Sequence, residues 1–423
     1  MPVTNKWETK PLGKLVEFRN GVNYNKNSFG NGIKVVGVKD FQDYIKPKYS
    51  ELNQIDPRGI VTEKNILHHG DIVFVRSNGN RDLIGRSLFI DNPPEPVTHS
   101  AFTIRLRFTT KEIDPRFYAY LLRSPLIRKS MTAFGGGTNI SNLNQDILYQ
   151  LAVPYPPYLI QQQISKILSA YDDLIENNER RIKILEEMAR SLYREWFVYF
   201  RYPGHVTVPL VNSSLGPIPK GWEVFPLEMV CDRITDGSHF SPKSVETGYP
   251  MASVKDMTDW GFEIGGCRRI NEKDFNELVR NDCKPKRNDV LIAKDGSYLK
   301  HTFVVTEEMD LVILSSIAIL RPNKRIRSNF LNFLLRDPNI KARMEGFVSG
   351  VALPRIILKE FRQFLIVLPP KNLQEKWANI ADPIIELCMC LIRQNTQLRK
   401  TRDLLLPRLL SGQISLDVKV TNA

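Results

Sequence analysis

This chain lacks most of what an enzyme, a membrane protein or a secreted domain would show. No uninterrupted apolar run in its 423 residues reaches the roughly 18 that a membrane span requires, and the opening segment MPVTNKWETKPLGK has no apolar signal core. A cytoplasmic location is therefore expected. The five cysteines, Cys231, Cys267, Cys283, Cys388 and Cys390, all fall in the second half and form no CxxC. With six scattered histidines they give no zinc-ligand spacing, so free thiols and no metal site are expected. The glycine-rich FGGGTN (134–139) lacks the Gly-Lys-Ser/Thr ending of a phosphate-binding loop. NPPEP (92–96) has Glu95 where a base-stacking aromatic would stand in an adenine or cytosine methyltransferase loop. No catalytic residue is assigned.

What is present is cationic and repeated. The formal net charge is +13, distributed as +7 over residues 1–155, 0 over 156–205, +3 over 206–368 and +3 over 369–423. An anionic partner is indicated, and the excess lies mainly outside the first helical segment. Lining up the two halves at offsets of 213–218 pairs WETKPLGKLV (from Trp7) with WEVFPLEMV (from Trp222), and VKDF with VKDM. GDIVFVRSNGN (from Gly70) pairs with NDVLIAKDGSY (from Asn288), SAFTIRL with SSIAILR, and GGGTNISNLN with VSGVALPRII. LAVPYPPYLIQQQISKILSAYDDL (151–174) pairs with FLIVLPPKNLQEKWANIADPIIEL (364–387). A whole unit of about 200 residues has been duplicated.

Each unit opens with short apolar runs separated by Gly, Asn, Asp and Pro, which predict strands. DPRFYAYLLRSPLIRKSMTAF (114–134) and SNFLNFLLRDPNIKARMEGF have helical spacing. A long helix then follows in each unit. The fold class is α+β: two tandem mixed α/β domains separated by two long helices that pair as an antiparallel coiled coil, with pseudo-twofold symmetry. A helix of about 38 residues would be roughly 57 Å long. Its stripe in the first copy comprises Ile164, Ile167, Tyr171, Leu174, Asn178, Leu185 and Leu192, with Asn178 as the polar register residue. In the second copy the stripe comprises Trp377, Ile380, Ile384, Leu387, Leu391, Leu398 and Leu405, and Pro383 and Pro407 are expected to kink or end that helix. The expected boundaries are 5–155 and 217–368 for the domains, 156–200 and 369–415 for the helices, and 201–216 for a linker.

The loops after the GDI-type strands mix cations, amides and hydroxyls, the groups that read base edges in a major groove. The candidate DNA contacts are Lys39, Arg76, Ser77, Asn78, Asn80, Arg81, Thr138 and Asn139 in the first copy. In the second they are Lys255, Lys294, Ser297, Lys300, His301 and Arg355.

With the repeat, the doubled Pro-Pro…Gln junction and the unequal tips assembled, the chain resembles the specificity subunit of type I DNA restriction-modification enzymes. Asn288-Asp289 in place of Gly-Asp, and SGVALPR in place of the glycine-rich loop, depart from the pattern. The resemblance implies a subunit with no catalytic site or cofactor of its own, whose two target recognition domains each read half of a split, asymmetric site in double-stranded DNA. It implies that the helices set the spacer and dock two DNA adenine methyltransferase subunits, and that restriction motor-nuclease subunits complete the complex. S-adenosylmethionine, ATP and Mg would sit on those partners. The alternatives are a recognition subunit of a related enzyme that cuts on both sides of its site, or a two-headed scaffold that does not bind DNA.

Overall fold

A computed structural model describes residues 7–42, 44–77, 83–134, 143–295, 299–346, 348–349, 355–414 and 416. The chain divides into two compact units, the first built from residues 1–177 and 394–423 and the second from 178–393. Both divisions fall inside the long helices, which run from Tyr158 to Tyr193 and from Lys371 to Leu410.

In unit 1 a four-stranded antiparallel sheet has the order Val16–Asn20, Thr103–Phe108, Ile72–Val75, Ser87–Phe89. A three-stranded sheet places Phe29–Val36 between Asn53–Ile55 and Val97–His99, and is parallel to the latter. Unit 2 repeats this topology. Its larger sheet runs Cys231–Asp236, Ile317–Pro322, Val290–Ala293, Thr302–Val304, and its smaller one places Tyr249–Ala252 between Arg268–Ile270 and a parallel Val312–Ile313. Helix Glu272–Arg280 is the main addition in unit 2.

The wholly apolar strands IVFV and VLIA now have a cause. Ile72 and Phe74 face one core of unit 1, while Val73 and Val75 face another. Val290 and Ile292, and Leu291 and Ala293, divide in the same way in unit 2. A strand covered on both faces reads as a continuous hydrophobic run.

The aspartate before each of these strands is a lock. Asp71 accepts hydrogen bonds from His68 N at 2.8 Å and from Arg107 Nε and Nη2, each at 2.7 Å. Asp289 accepts from Lys286 N at 2.8 Å and from Arg321 Nε and Nη2 at 2.8 and 2.9 Å. Each carboxylate is buried, closes a turn and takes a bidentate arginine from the neighbouring strand. Donating to Asp71 raises the Arg107 pKa further, and donating to Asp289 does the same for Arg321. Gly70 precedes the lock at φ +92° and Asn288 at +73°. Asparagine tolerates the left-handed region better than most side chains, so the Asn-Asp departure leaves the turn intact.

The Pro-Pro…Gln junction is a second lock. Gln161 Nε2 donates to Pro156 O at 2.8 Å while its Oε1 accepts from Asp114 N at 2.9 Å. Gln374 Nε2 donates to Pro369 O at 3.1 Å and Arg325 O at 3.0 Å, and its Oε1 accepts from Arg327 N at 3.2 Å. Both glutamines are buried. Each ties the start of a long helix to the N-terminus of the short helix beneath it. The strand before the prolines pairs with the strand that begins each copy of the repeat, Ala152–Pro154 with Thr9–Pro11 and Leu365–Leu368 with Glu223–Pro226. Gln161→Ala would strand two buried backbone groups, and we expect unit 1 to lose about 1–3 kcal/mol in urea unfolding.

Several expectations are revised. The 114–134 segment is two helices, Pro115–Arg123 and Pro125–Phe134, because Ser124 before Pro125 is extended. Neither Pro383 nor Pro407 ends the second long helix. Both prolines, and the residues four positions earlier whose carbonyls they leave unpaired, Asn379 and Asp403, lie on its exposed face, where water can satisfy those groups. The 201–216 segment, expected as a linker, contains strand Leu210–Ser213, which forms a hairpin with Gly216–Pro219.

The helix seam is also shifted from the expected stripe. In the first helix, buried or half-buried residues recur at 164, 168, 171, 175, 178, 182, 185 and 189, and in the second at 374, 377, 381, 384, 388, 391, 395, 398, 402, 405 and 409. Steps of three and four alternate without a break in both, which is a heptad seam. Ile164, Tyr171, Asn178, Leu185, Trp377, Ile384, Leu391, Leu398 and Leu405 belong to it; Ile167 and Leu192 are half-buried and pack on the adjoining cores. Leu174, Ile380 and Leu387 do not, being 40%, 48% and 39% exposed. Within unit 1 the helices run antiparallel, with Asn395 Nδ2 donating to Ile175 O at 3.3 Å and Arg402 pairing with Asp172. Within unit 2 they are again antiparallel, Cys388 meeting Ile182 and Trp377 meeting Tyr193.

Each domain core is finished by a helix from the other end of the chain's repeat. Leu409 and Leu410 complete the core of unit 1 beside Ile164, Leu168 and Phe117. Tyr193, Trp196 and Phe197 complete that of unit 2 beside Trp377 and Phe330.

Candidate nucleic-acid interface

The tips of the two units are built by one hydrogen-bond pattern. In unit 1, Arg76 N and Ser77 N donate to Phe102 O at 2.8 and 3.4 Å, and Leu143 N donates to Arg76 O at 2.9 Å. In unit 2, Lys294 N and Asp295 N donate to Ser316 O at 2.8 and 3.2 Å, and Ile356 N donates to Lys294 O at 3.1 Å. Arg76 and Lys294 are therefore equivalent in backbone geometry, and Phe102 is the equivalent of Ser316. Beside each tip the chain leaves its first sheet strand through a glycine pressed against the opposite backbone. A Cβ on Gly21 would lie 2.2 Å from Ser100 O, and one on Gly237 2.2 Å from Ile313 O.

The side chains on this common frame differ. Arg76 and Ser77 are half-buried at the surface of unit 1. Lys294 has only 7% of its side chain exposed, with Nζ 3.0 Å from Asp236 and 3.3 Å from Asp295. It is a strut within the tip and not a presented cation, which corrects the expectation for that residue. His239 Nε2 lies 3.3 Å from the same Asp236 and is exposed. Arg355 is exposed on a strand that bridges Asp295, so the structure brings it to the Lys294 tip. Lys300 is exposed, while His301 is held by Nδ1 2.8 Å from Asp259. Lys39 and Lys255 recur on matching single turns, Val38–Asp40 and Val254–Asp256. Each turn is closed by its aspartate accepting from the residue before it, Gly37 N or Ser253 N, at 2.8 Å. Both lysines are exposed, and Lys39 Nζ reaches Asn53 Oδ1 at 2.7 Å. Asn78, Asn80, Arg81, Thr138, Asn139 and Ser297 lie outside the described residues.

Sequence reasoning did not pick out Asp236, His239, Asp295 or Phe102. The aligned repeats set Phe102 opposite Ile317, another apolar residue, and only the backbone hydrogen bonds set it opposite Ser316. Behind the unit 1 tip His99 is fully buried, its Nδ1 2.9 Å from Thr103 Oγ1. Burial, then the cations of Arg105, Arg107 and Arg19, push its pKa down to about 3, so the ring is a neutral packing element. Among the described residues no group of His, Cys, Asp and Glu could hold a metal ion, and no helix is long and apolar enough to cross a membrane. All five cysteines are unpaired, and burial pushes Cys231 up to about 12.

One scaffold used twice, with unlike tips and paired long helices, defines a tandem recognition-domain protein. The chain matches the type I restriction modification DNA specificity domain twice, over residues 4–187 and 219–398, and belongs to that family. It is 25% identical over 434 residues to the type I restriction enzyme MjaIX specificity subunit of Methanocaldococcus jannaschii, covering 98% of this chain and 95% of that one. It is 20% identical to the EcoKI specificity subunit of Escherichia coli, covering 86% and 79%. The crystal structure of a type I restriction-modification S subunit from M. genitalium superposes with a TM-score of 0.57 at 16% identity, covering 96% of each chain, and shares the fold.

Proposed function

We propose that this chain is the sequence-recognition subunit of a type I restriction-modification complex and is itself non-catalytic. Each unit reads one half of a bipartite, asymmetric DNA site. The long helices set the spacing and receive two DNA adenine methyltransferase subunits, and motor-nuclease subunits join for restriction. S-adenosylmethionine, ATP and Mg act on those partners. The observation that carries this reading is the pair of tips, alike in backbone and lock but unlike in side chain, with Arg76 and Ser77 in one and exposed Arg355 and His239 around a buried Lys294 strut in the other. Two different readouts on equal frames require that combination. The net charge of +13 suits a polyanion.

The test is single-molecule methylation mapping of DNA from cells expressing the chain with its methyltransferase subunit. A split motif with methyladenine in each half is expected; a stable complex that marks no such motif would favour a protein scaffold. Seven residues inserted after Asn177 and seven after Arg393 keep both heptad seams and add about 10 Å to each helix. The preferred spacer should lengthen by about three base pairs, at 3.4 Å each, with both half-sequences unchanged. Altered half-sequences would separate the helices from the spacing role.

A further inference from the structure

Among the described residues, each unit holds a large exposed ring at its tip. Phe102 is 61% exposed and Phe240 is 62% exposed. Both are held on pinned backbone. Around Phe102, Ala101 N donates to Val22 O at 2.8 Å, Phe102 O takes two amides from the Arg76 loop, and Thr103 N donates to Ser100 O at 2.9 Å. Around Phe240, Ser238 Oγ donates to Phe240 O at 2.7 Å and lies 3.1 Å from Phe240 N. Arg268 then clamps the next two residues through Ser241 Oγ and Pro242 O, both at 2.8 Å.

The duplicated scaffold does not require either ring. Where unit 1 has Phe102, unit 2 has Ser316. Counting from the matching glycines Gly21 and Gly237, Phe240 answers Tyr24, which is half-buried against Phe29 at 5.5 Å. Each ring leaves about three fifths of its surface in water, apolar area that is available to a partner. The surroundings select the partner. The Phe102 carbonyl receives the Arg76 and Ser77 amides, and Phe240 lies in sequence between exposed His239 and exposed Lys243. A protein-docking patch would be continuous and apolar, whereas single rings among cations and hydroxyls suit a groove that combines phosphates with isolated methyl groups.

We propose that Phe102 and Phe240 are specificity-determining residues, each taking the 5-methyl group of a thymine in the major groove of its own unit's half-site. This rests on the DNA-recognition reading above. The two rings come from non-equivalent loops, so the thymines they read fall at different places within the two halves.

The test uses the complex of the full chain with its methyltransferase subunits. The wild-type motif is mapped first, then those of Phe102→Ala and Phe240→Ala. Phe102→Ala is expected to relax one T·A position in one half and leave the other half strict, and Phe240→Ala to do the reverse. On duplexes carrying deoxyuridine at the affected position, wild-type methylation should fall roughly tenfold, and the matching alanine variant should no longer distinguish the two bases. Thermal melting of each variant should match wild type, since the rings are exposed, and any variant that melts early is replaced by the corresponding Phe→Ser. Unchanged motifs, or a uniform loss over both halves, overturn the assignment while leaving the two-part motif standing. A wild-type complex that marks no two-part motif overturns the DNA reading and this inference with it.

Discussion

Leu409→Ala combined with Leu410→Ala is expected to remove about 4–6 kcal/mol from unit 1 while leaving unit 2 untouched. The two leucines are 2% and 5% exposed and lie in one core with Ile164, Leu168, Phe117 and Leu148. A single buried Leu→Ala costs about 2–5 kcal/mol, and adjacent residues share neighbours, so the two losses fall short of their sum. The effect is large because a domain's whole stability is about 5–15 kcal/mol. Hydrogen exchange gives the readout by region. Amides of strand Thr103–Phe108 should lose protection, and those of Ile317–Pro322 should keep theirs. Equal loss in both strands would mean that the last helical turns do not belong to unit 1 alone.

Trp377→Ala is expected to have the opposite address. Trp377 is fully buried in unit 2, with ring centroids of Tyr193, Phe197, Phe330 and Phe333 at 6.1, 5.9, 6.2 and 5.6 Å. Removing the indole takes out the centre of that aromatic cluster, and the cost should be about 3–5 kcal/mol. Its Nε1 is buried with no hydrogen-bond partner among the described residues. Trp377→Phe therefore loses volume but no polar contact, and should cost less than half as much. If the two substitutions proved equally damaging in urea unfolding, shape rather than ring packing would govern the site.

The repeat, the strands and the strand-to-helix junction were legible because each is written in short-range chemistry. Gly-Asp and Asn-Asp mark a turn, Pro-Pro marks a helix start, and apolar runs mark strands with two covered faces. The heptad seam was less legible. A search for apolar residues follows Leu174, Ile380 and Leu387, which are exposed, and passes over Gln374, Ala381, Asn395 and Arg402, which occupy seam positions. Hydrophobicity cannot separate two neighbouring faces when both are apolar and the buried one includes amides and small residues. At the tips the obstacle was different: Lys294 reads as a free cation until Asp236, 58 residues earlier, is seen to hold it. Charge pairing across a sheet is invisible along the chain.

The composition of unit 1 sets an order of events during protein synthesis. Residue 177 leaves the ribosome 232 residues before residue 409. At about 5–20 residues per second, that leaves the first domain waiting roughly 12–46 s for the leucines that close its core. Unit 2, continuous from 178 to 393, has all its parts sooner. The domain translated first is thus the last to be completed, and in the interval its unsealed apolar surface is open to chaperones and to neighbouring nascent chains.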